Sequence, residues 1–184
     1  MNILTVLAVR KNIPNLLTIS RIALIPFILL FIVNNYYNLA FFVFLYCALT
    51  DFADGYLARK MKAQSSFGAM ADAIADKLVI LVPGWFIFFH SNHHLSLALL
   101  IILTVRDCTI TTLRYLHIIP LGSTPSKIAK IKTFLLYVLI LFYLFIAGLQ
   151  WNEWNILLTY FIRGVEIIIS ALALLSLQKY LTTT

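Results

Sequence analysis

The stretch from Asp51 to Asp76 reads DFADGYLARKMKAQSSFGAMADAIAD and holds four of the seven acidic residues in the chain. Asp51 and Asp54 are spaced i, i+3, and Asp72 and Asp76 are spaced i, i+4. In helices, each of these pairs projects from a single face. The flanking segments are apolar enough to enter lipid, where an unpaired carboxylate costs several kcal/mol. The pattern therefore predicts two facing carboxylate pairs, compensated by cations, within a helical membrane protein.

Four carboxylates on two neighbouring helices form an all-oxygen ligand set, which hard divalent cations such as Mg²⁺ or Mn²⁺ prefer. Two such ions shared by these carboxylates are suited to displacement at phosphorus. A different interpretation is that the carboxylates form structural salt bridges with basic residues nearby, namely Arg59, Lys60 and Lys77. A second alternative is a small cation transporter, because paired carboxylates in a helical bundle can also carry ions.

The same run resembles the CDP-alcohol phosphotransferase signature, D-x2-D-G-x2-A-R-x8-G-x3-D-x3-D, and every fixed position of it is filled. The resemblance implies transfer of a phosphatidyl or substituted phosphate group from a CDP-linked donor to an alcohol, with release of CMP. It assigns two divalent cations, Mg²⁺ or Mn²⁺, to Asp51, Asp54, Asp72 and Asp76. It also makes Asp76 the catalytic base that accepts the proton of the acceptor hydroxyl.

The resemblance further implies a nucleotide and donor-phosphate pocket. Its residues are Asn15, Thr18, Gly55, Ala58, Arg59 and Gly68. The two glycines lie beside the acidic residues, where the lack of a side chain lets a nucleotide approach closely. Helix packing is the alternative role for the glycines, because small residues pack membrane helices, and one glycine can serve both roles. Helix capping is the alternative role for Asn15 and Thr18.

A second charged group lies late in the fourth apolar segment and early in the fifth. Its members are Arg106, Arg114, Lys130 and Lys132. If these side chains converge, they suit a phosphate, because a guanidinium fork matches phosphate oxygens. We therefore expect the acceptor alcohol to carry a phosphate of its own. The alternative is that these residues mark one side of the membrane or contact anionic lipids.

Composition predicts an all-α integral membrane protein with one domain over residues 1–184. The chain is 62% hydrophobic and 11% charged, whereas a soluble domain carries roughly twice that charged fraction. At about 20 residues a span, the apolar runs predict six transmembrane helices, roughly 16–33, 39–60, 68–89, 95–116, 126–148 and 156–180. Before them, residues 1–12 are expected to form a short interfacial segment, and residues 12–15 a turn or helix start.

The basic residues lie almost entirely at the span ends and loops of one side, and Arg163 is the exception. The positive-inside rule then predicts that both termini and the acidic residues lie on the cytoplasmic side, for example of a bacterial inner membrane. Three histidines on the opposite side, His90, His93 and His94, are interpreted as a solvated loop. Cys47 and Cys108 are interpreted as small buried apolar residues.

Within the family, the likeness is greatest to the branch that forms phosphatidylglycerophosphate, and it covers nearly the whole chain. Besides the acidic stretch, it rests on residues 12–21, 106–114 and 126–133. It implies CDP-diacylglycerol as donor, glycerol 3-phosphate as acceptor and a homodimer, and we predict no nucleic-acid partner. The chain departs from that branch at Ala73, Asp107 and Ala129. Phosphatidylglycerol, as in cardiolipin synthase, or an inositol phosphate therefore stays open as the acceptor.

Overall fold

The computed structural model describes the backbone of residues 3–61, 66–90, 95–116, 127–149 and 156–182, and the side chains of 18–52, 74–90, 95–113, 115–116, 127–149 and 157–182. Within these ranges the chain forms six α-helices and no strand, which confirms the all-α class. The helices are α1 Ile3–Val33, α2 Tyr37–Met61, α3 Ser66–His90, α4 Leu97–Tyr115, α5 Lys127–Gly148 and α6 Ile156–Thr182. The last five match the predicted spans to within two residues at each end.

The first helix differs from the expectation. The predicted turn or helix start at residues 12–15 is wrong, because α1 is continuous from Ile3 to Val33 and passes through Pro14. Proline fixes φ near a helical value, and it removes one backbone donor and crowds one carbonyl. A single proline can therefore be tolerated within a long helix at the cost of one backbone hydrogen bond.

The third helix also continues through a proline, Pro83, with its bounds at Ser66 and His90. The next residue, Gly84, is buried against α4. A Cβ added at Gly84 would lie 3.2 Å from Leu100 Cδ2, which is tighter than ordinary van der Waals contact. The missing side chain therefore lets α3 and α4 pack closely at this point.

The turn between α1 and α2 ends α1 with a Schellman motif. The backbone N–H of Tyr36 donates to the Phe31 carbonyl at 2.8 Å, and the N–H of Asn35 donates to the Ile32 carbonyl at 3.0 Å. Asn35 has a φ of 60°, a left-handed conformation that asparagine tolerates better than most residues. The polar run at 34–38 therefore reverses the chain within a few residues.

The helices pack as a bundle in which α5 contacts three other helices. α1 lies against α2 and α3, α4 lies against α3 and α6, and α5 lies against α2, α3 and α6. The core is a continuous apolar cluster contributed by all six helices, for example Ile28, Phe44, Ile80, Leu103, Ile140 and Ile169. This packing brings the second half of α2, the first half of α3 and the first half of α5 to one end of the bundle.

The outer surface is strongly apolar, as a lipid-facing surface would be. Phe42, Phe89 and Leu157 are 64%, 68% and 73% exposed, and a water-soluble protein rarely exposes large apolar patches. Cys47 is buried as predicted, but Cys108 is exposed on this surface. Among the described residues, two helical segments are long and apolar enough to cross a membrane, Lys127–Gly148 and Leu157–Thr182.

Candidate active site

Two carboxylates of the acidic stretch meet at one arginine. The Arg21 Nη1 atom, on α1, lies 2.6 Å from Asp51 Oδ1 on α2 and 2.6 Å from Asp76 Oδ1 on α3. Because both oxygens contact the same nitrogen, they are at most about 5 Å apart. The Arg21 side chain is fully buried, whereas those of Asp51 and Asp76 are 21% and 39% exposed. The site is therefore closed on the α1 side and open at the carboxylates.

Neighbouring residues of the bundle hold this arginine and form the inner wall. Thr18 lies one turn before Arg21 on the same face of α1, is buried, and its Oγ1 accepts a hydrogen bond from Arg21 Nη2 at 3.5 Å. Tyr137 of α5 is buried, interacts electrostatically with both carboxylates and packs against Phe44, with ring centroids 5.7 Å apart. The predicted donor-pocket residue Thr18 thus lies beside the carboxylates.

The remaining residues of the predicted metal and donor sites have side chains outside the described residues. They are Asn15, Asp54, Gly55, Ala58, Arg59, Gly68 and Asp72. Their backbone is nevertheless helical, in α1, α2 or α3. The i, i+3 spacing of the first carboxylate pair and the i, i+4 spacing of the second are therefore helical spacings, as the sequence prediction assumed.

The donor chemistry of the site fits a hard divalent cation. The Arg21 guanidinium, which is itself a cation, lies between two carboxylate oxygens from different helices, and carboxylate oxygens are the ligands that Mg²⁺ and Mn²⁺ prefer. Within the described side chains there is no group of three or more acidic, histidine or cysteine residues. Asp54 and Asp72 would have to supply the further ligands.

A second polar cluster lies between α4, α5 and α6. Asp107 Oδ1 lies 2.5 Å from Arg106 Nη1 and 3.5 Å from Lys132 Nζ. Arg106 Nε also donates to Ser176 Oγ on α6 at 3.0 Å. The exposed fractions are 7% for Arg106, 6% for Asp107 and 2% for Lys132. Buried charges need partners, and two cations with one carboxylate leave a formal excess of one positive charge among these three residues.

Lys77, the residue after Asp76 in α3, joins that helix to the cluster around Asp107. Lys77 Nζ donates to the Asp107 backbone carbonyl at 3.1 Å and to the Thr111 hydroxyl. Thr111 in turn donates to the Asp107 carbonyl at 2.6 Å. Successive residues of a helix point about 100° apart, so Asp76 contacts Arg21 while Lys77 contacts α4.

Of the four predicted acceptor-phosphate residues, Arg106 and Lys132 come together at Asp107. Lys130 is exposed on α5, and it points about 200° away from Lys132 around the helix. The Arg114 side chain lies outside the described residues. The structure therefore brings together half of the predicted set.

Several residues of these clusters were given no site role from the sequence, namely Asp107, Tyr137, Ser176 and, beyond the alternative of a structural salt bridge, Lys77. The same is true of Glu166, which is 2% exposed on α6. It accepts hydrogen bonds from Ser96 N at 3.1 Å, Tyr143 OH at 3.0 Å and Arg163 Nη1 at 2.8 Å. A charged residue in an apolar segment is the signal that could have identified Lys77, Asp107 and Glu166.

The site can be compared with known proteins. A sequence model of the CDP-alcohol phosphatidyltransferase family matches residues 11–176. A relative from Wigglesworthia glossinidia brevipalpis is 33% identical over 180 residues, or 93% of each chain. One from Rickettsia typhi (strain ATCC VR-144 / Wilmington) is 41% identical over 129 residues, or 68% of this chain and 71% of that protein. One from Pseudomonas fluorescens is 43% identical over 107 residues, or 56% of this chain and 54% of that protein.

All three relatives bear the name CDP-diacylglycerol–glycerol-3-phosphate 3-phosphatidyltransferase. The family match covers most of the chain, including the acidic stretch and the Asp107 cluster, so the family predicted from the sequence is confirmed. Together with the apolar helices α5 and α6, this membership indicates a membrane protein. The chain is a transferase and belongs to the CDP-alcohol phosphatidyltransferase family.

Proposed function

We propose that this enzyme transfers the phosphatidyl group of CDP-diacylglycerol to glycerol 3-phosphate, giving phosphatidylglycerophosphate and CMP. Similarity to relatives named for that reaction supports both substrates, and one of these relatives matches over 93% of the chain. The structural observation that supports this choice of acceptor is the buried pair of cations, Arg106 and Lys132, around the single carboxylate of Asp107. A phosphate monoester is the chemistry that such a cationic cluster suits.

In the proposed reaction, the acceptor hydroxyl attacks the phosphorus that carries the diacylglycerol. A new P–O bond forms to glycerol 3-phosphate, the pyrophosphate P–O bond breaks, and its electrons leave with CMP. Asp76 takes the hydroxyl proton, and its partly exposed side chain is accessible to the acceptor. Arg106 and Lys132, together with Arg114, are the proposed residues that bind and orient the acceptor phosphate. Lys130, which points away from Lys132 on α5, is left out of this set.

Two divalent cations, Mg²⁺ or Mn²⁺, are the proposed cofactors of this reaction. The residues that would hold them are Asp51, Asp54, Asp72 and Asp76. When bound, they would offset the negative charge of the pyrophosphate and of the leaving CMP. The proposed donor pocket beside them consists of Asn15, Thr18, Gly55, Ala58, Arg59 and Gly68.

We further propose that all six helices cross the membrane, with both termini and the acidic residues on the cytoplasmic side of a bacterial inner membrane, and that the enzyme works as a homodimer. The asymmetric distribution of Lys and Arg supports this orientation. A cytoplasmic site would be accessible to the soluble acceptor, while the lipid donor reaches it through the bilayer. The homodimer rests on family resemblance alone.

The test is an assay of the purified protein in detergent with CDP-diacylglycerol, Mg²⁺ or Mn²⁺, and one acceptor at a time. Glycerol 3-phosphate, an inositol phosphate and phosphatidylglycerol are compared by CMP release and by product mass. We expect CMP release with glycerol 3-phosphate and a product of the mass of phosphatidylglycerophosphate. If only inositol phosphate or phosphatidylglycerol gives product, the acceptor is wrong, and if no acceptor gives CMP in several detergents, the proposed reaction is wrong.

A further inference from the structure

The Asp107 carboxylate lies between two cationic side chains that come from different helices. Arg106 Nη1 and Lys132 Nζ both contact the same oxygen, Asp107 Oδ1, at 2.5 and 3.5 Å, so the two cationic nitrogens are no more than about 6 Å apart. They come from different helices, α4 and α5. Two like charges at this separation repel each other, and the carboxylate between them holds them together.

The surroundings of Asp107 limit movement of the cluster. Arg106 is also fixed through Nε by the buried Ser176 of α6. Lys132 is 2% exposed, and it lies early in α5. The three helices that carry Arg106, Lys132 and Ser176 thus meet at one buried point, and the charge that joins them is that of Asp107.

The backbone of the same residue is tied to α3. The Asp107 carbonyl accepts from Lys77 Nζ and from the Thr111 hydroxyl, and Lys77 also donates to Thr111. Lys77 follows Asp76 directly in the chain. The distance from Asp76 to the cationic cluster is therefore set by a contact between one residue of α3 and two residues of α4.

We propose that Asp107 is a positioning residue for the acceptor: its carboxylate holds Arg106 and Lys132 as one phosphate-binding unit, and its carbonyl, through Lys77 and Thr111, fixes that unit relative to Asp76. This inference rests on the proposed function, because it takes the acceptor to be a phosphate monoester. Asp107 itself is not expected to contact the acceptor phosphate, since like charges repel. Asp107 affects the reaction by positioning the two cations and by fixing α4 relative to α3.

The first test compares Asp107→Asn with Asp107→Glu in full-length protein, using glycerol 3-phosphate as the varied substrate. Asn keeps an oxygen for Arg106 but loses the charge that holds Lys132, so we expect KM for glycerol 3-phosphate to rise about tenfold or more. KM for CDP-diacylglycerol should change by less than about twofold. Asp107→Glu keeps the charge, so its KM for glycerol 3-phosphate should stay within about threefold of the wild-type value. Equal changes in both KM values, or an unchanged acceptor KM, would overturn the proposal.

A milder pair of variants tests the link to α3 even where Asp107→Asn does not fold. Thr111 and Thr112 each donate from their hydroxyl to a backbone carbonyl one turn earlier, at 2.6 and 2.9 Å, but Thr112 is exposed on the outer face. Thr111→Val removes one of the acceptors that Lys77 contacts and leaves the Asp107 carbonyl in place, so we expect an acceptor KM about threefold higher. Thr112→Val is the matched control and should leave it unchanged. Identical kinetics of the two variants would contradict the inference.

The same experiments separate this inference from the proposed function. If wild-type protein makes no product with glycerol 3-phosphate but does so with another phosphate-bearing alcohol, the proposed acceptor is wrong, and the Asp107 variants are measured with that alcohol. If it uses only an alcohol without a phosphate monoester, both the acceptor and the role of Asp107 are wrong. A second readout needs no turnover: glycerol 3-phosphate should raise the unfolding temperature of wild type and Asp107→Glu, but not that of Asp107→Asn.

Discussion

Replacing Arg21 with glutamine should destabilise the protein strongly in the absence of divalent cations and weakly in their presence. Arg21 is fully buried and contacts one oxygen each of Asp51 and Asp76. If these carboxylates also bind Mg²⁺ or Mn²⁺, then guanidinium and metal both compensate the same negative charge. Removing the guanidinium should therefore lower the unfolding free energy most when the metal is removed as well.

The magnitude follows from the geometry. The two Oδ1 atoms lie at most about 5 Å apart, where two unit charges repel by about 3 kcal/mol at an effective dielectric constant of 20. Asp76 is 39% exposed, so water reduces this repulsion, and the ion pairs of the buried Arg21 with Asp51 and Asp76 are lost as well. We expect the variant to lose about 2 to 4 kcal/mol of unfolding free energy with a chelator present. With saturating Mn²⁺ the loss should fall to about 1 kcal/mol, because the ions replace the missing charge.

The assay is thermal unfolding in one detergent at one scan rate, with EDTA or with Mn²⁺. The added stabilisation by Mn²⁺ should be about 2 kcal/mol larger for Arg21→Gln than for wild type, which corresponds to roughly 30-fold tighter binding. Arg21→Lys keeps the charge, so its stabilisation by Mn²⁺ should be closer to that of wild type. Arg163→Gln is a matched control, because Arg163 pairs with Glu166 instead. The unfolding free energy that this variant loses should be the same with and without metal. Equal stabilisation of Arg21→Gln and wild type by Mn²⁺ would refute the shared-charge reasoning.

Three further predictions concern the base and the packing of the bundle. Asp76→Asn should abolish CMP release while the variant still binds CDP-diacylglycerol, as measured by equilibrium binding, because the base acts in the chemical step; retained turnover would reject this role. Glu166→Gln should lower the unfolding free energy by about 1 to 3 kcal/mol, because three hydrogen bonds end on the buried carboxylate. Its CMP release per folded molecule should stay near wild type, since Glu166 lies ten residues, about 15 Å, from Ser176 along α6. Gly148→Ala should destabilise by about 1 kcal/mol or more, because a Cβ there would lie 2.9 Å from Asn38 Cγ and 3.3 Å from its backbone nitrogen. Gly164→Ala is the matched control, having nothing within 4 Å of the added carbon, and should be neutral or slightly stabilising in the same unfolding assay.

The helices were predictable because their signal is local. Long apolar runs separated by short polar segments gave five helices to within two residues, and the asparagines at 34 and 35 indicated the turn that the Schellman motif forms. The start of α1 was mispredicted because Pro14 is a strong break signal in water. α1 nevertheless continues through this proline, which costs a helix one backbone hydrogen bond.

The acidic stretch by itself determined the family and the residue types of the candidate site, because the spacing of Asp51, Asp54, Asp72 and Asp76 along two helices is a property of the chain. Which side chains meet across helices is set by packing instead. Only the tertiary structure brought Arg21 of α1 between Asp51 and Asp76, and only it gathered Arg106 and Lys132 around Asp107 while leaving Lys130 exposed. The physical reason is that a buried charge must find its partner wherever the apolar packing of the bundle places one, and sequence spacing does not encode contacts between distant helices.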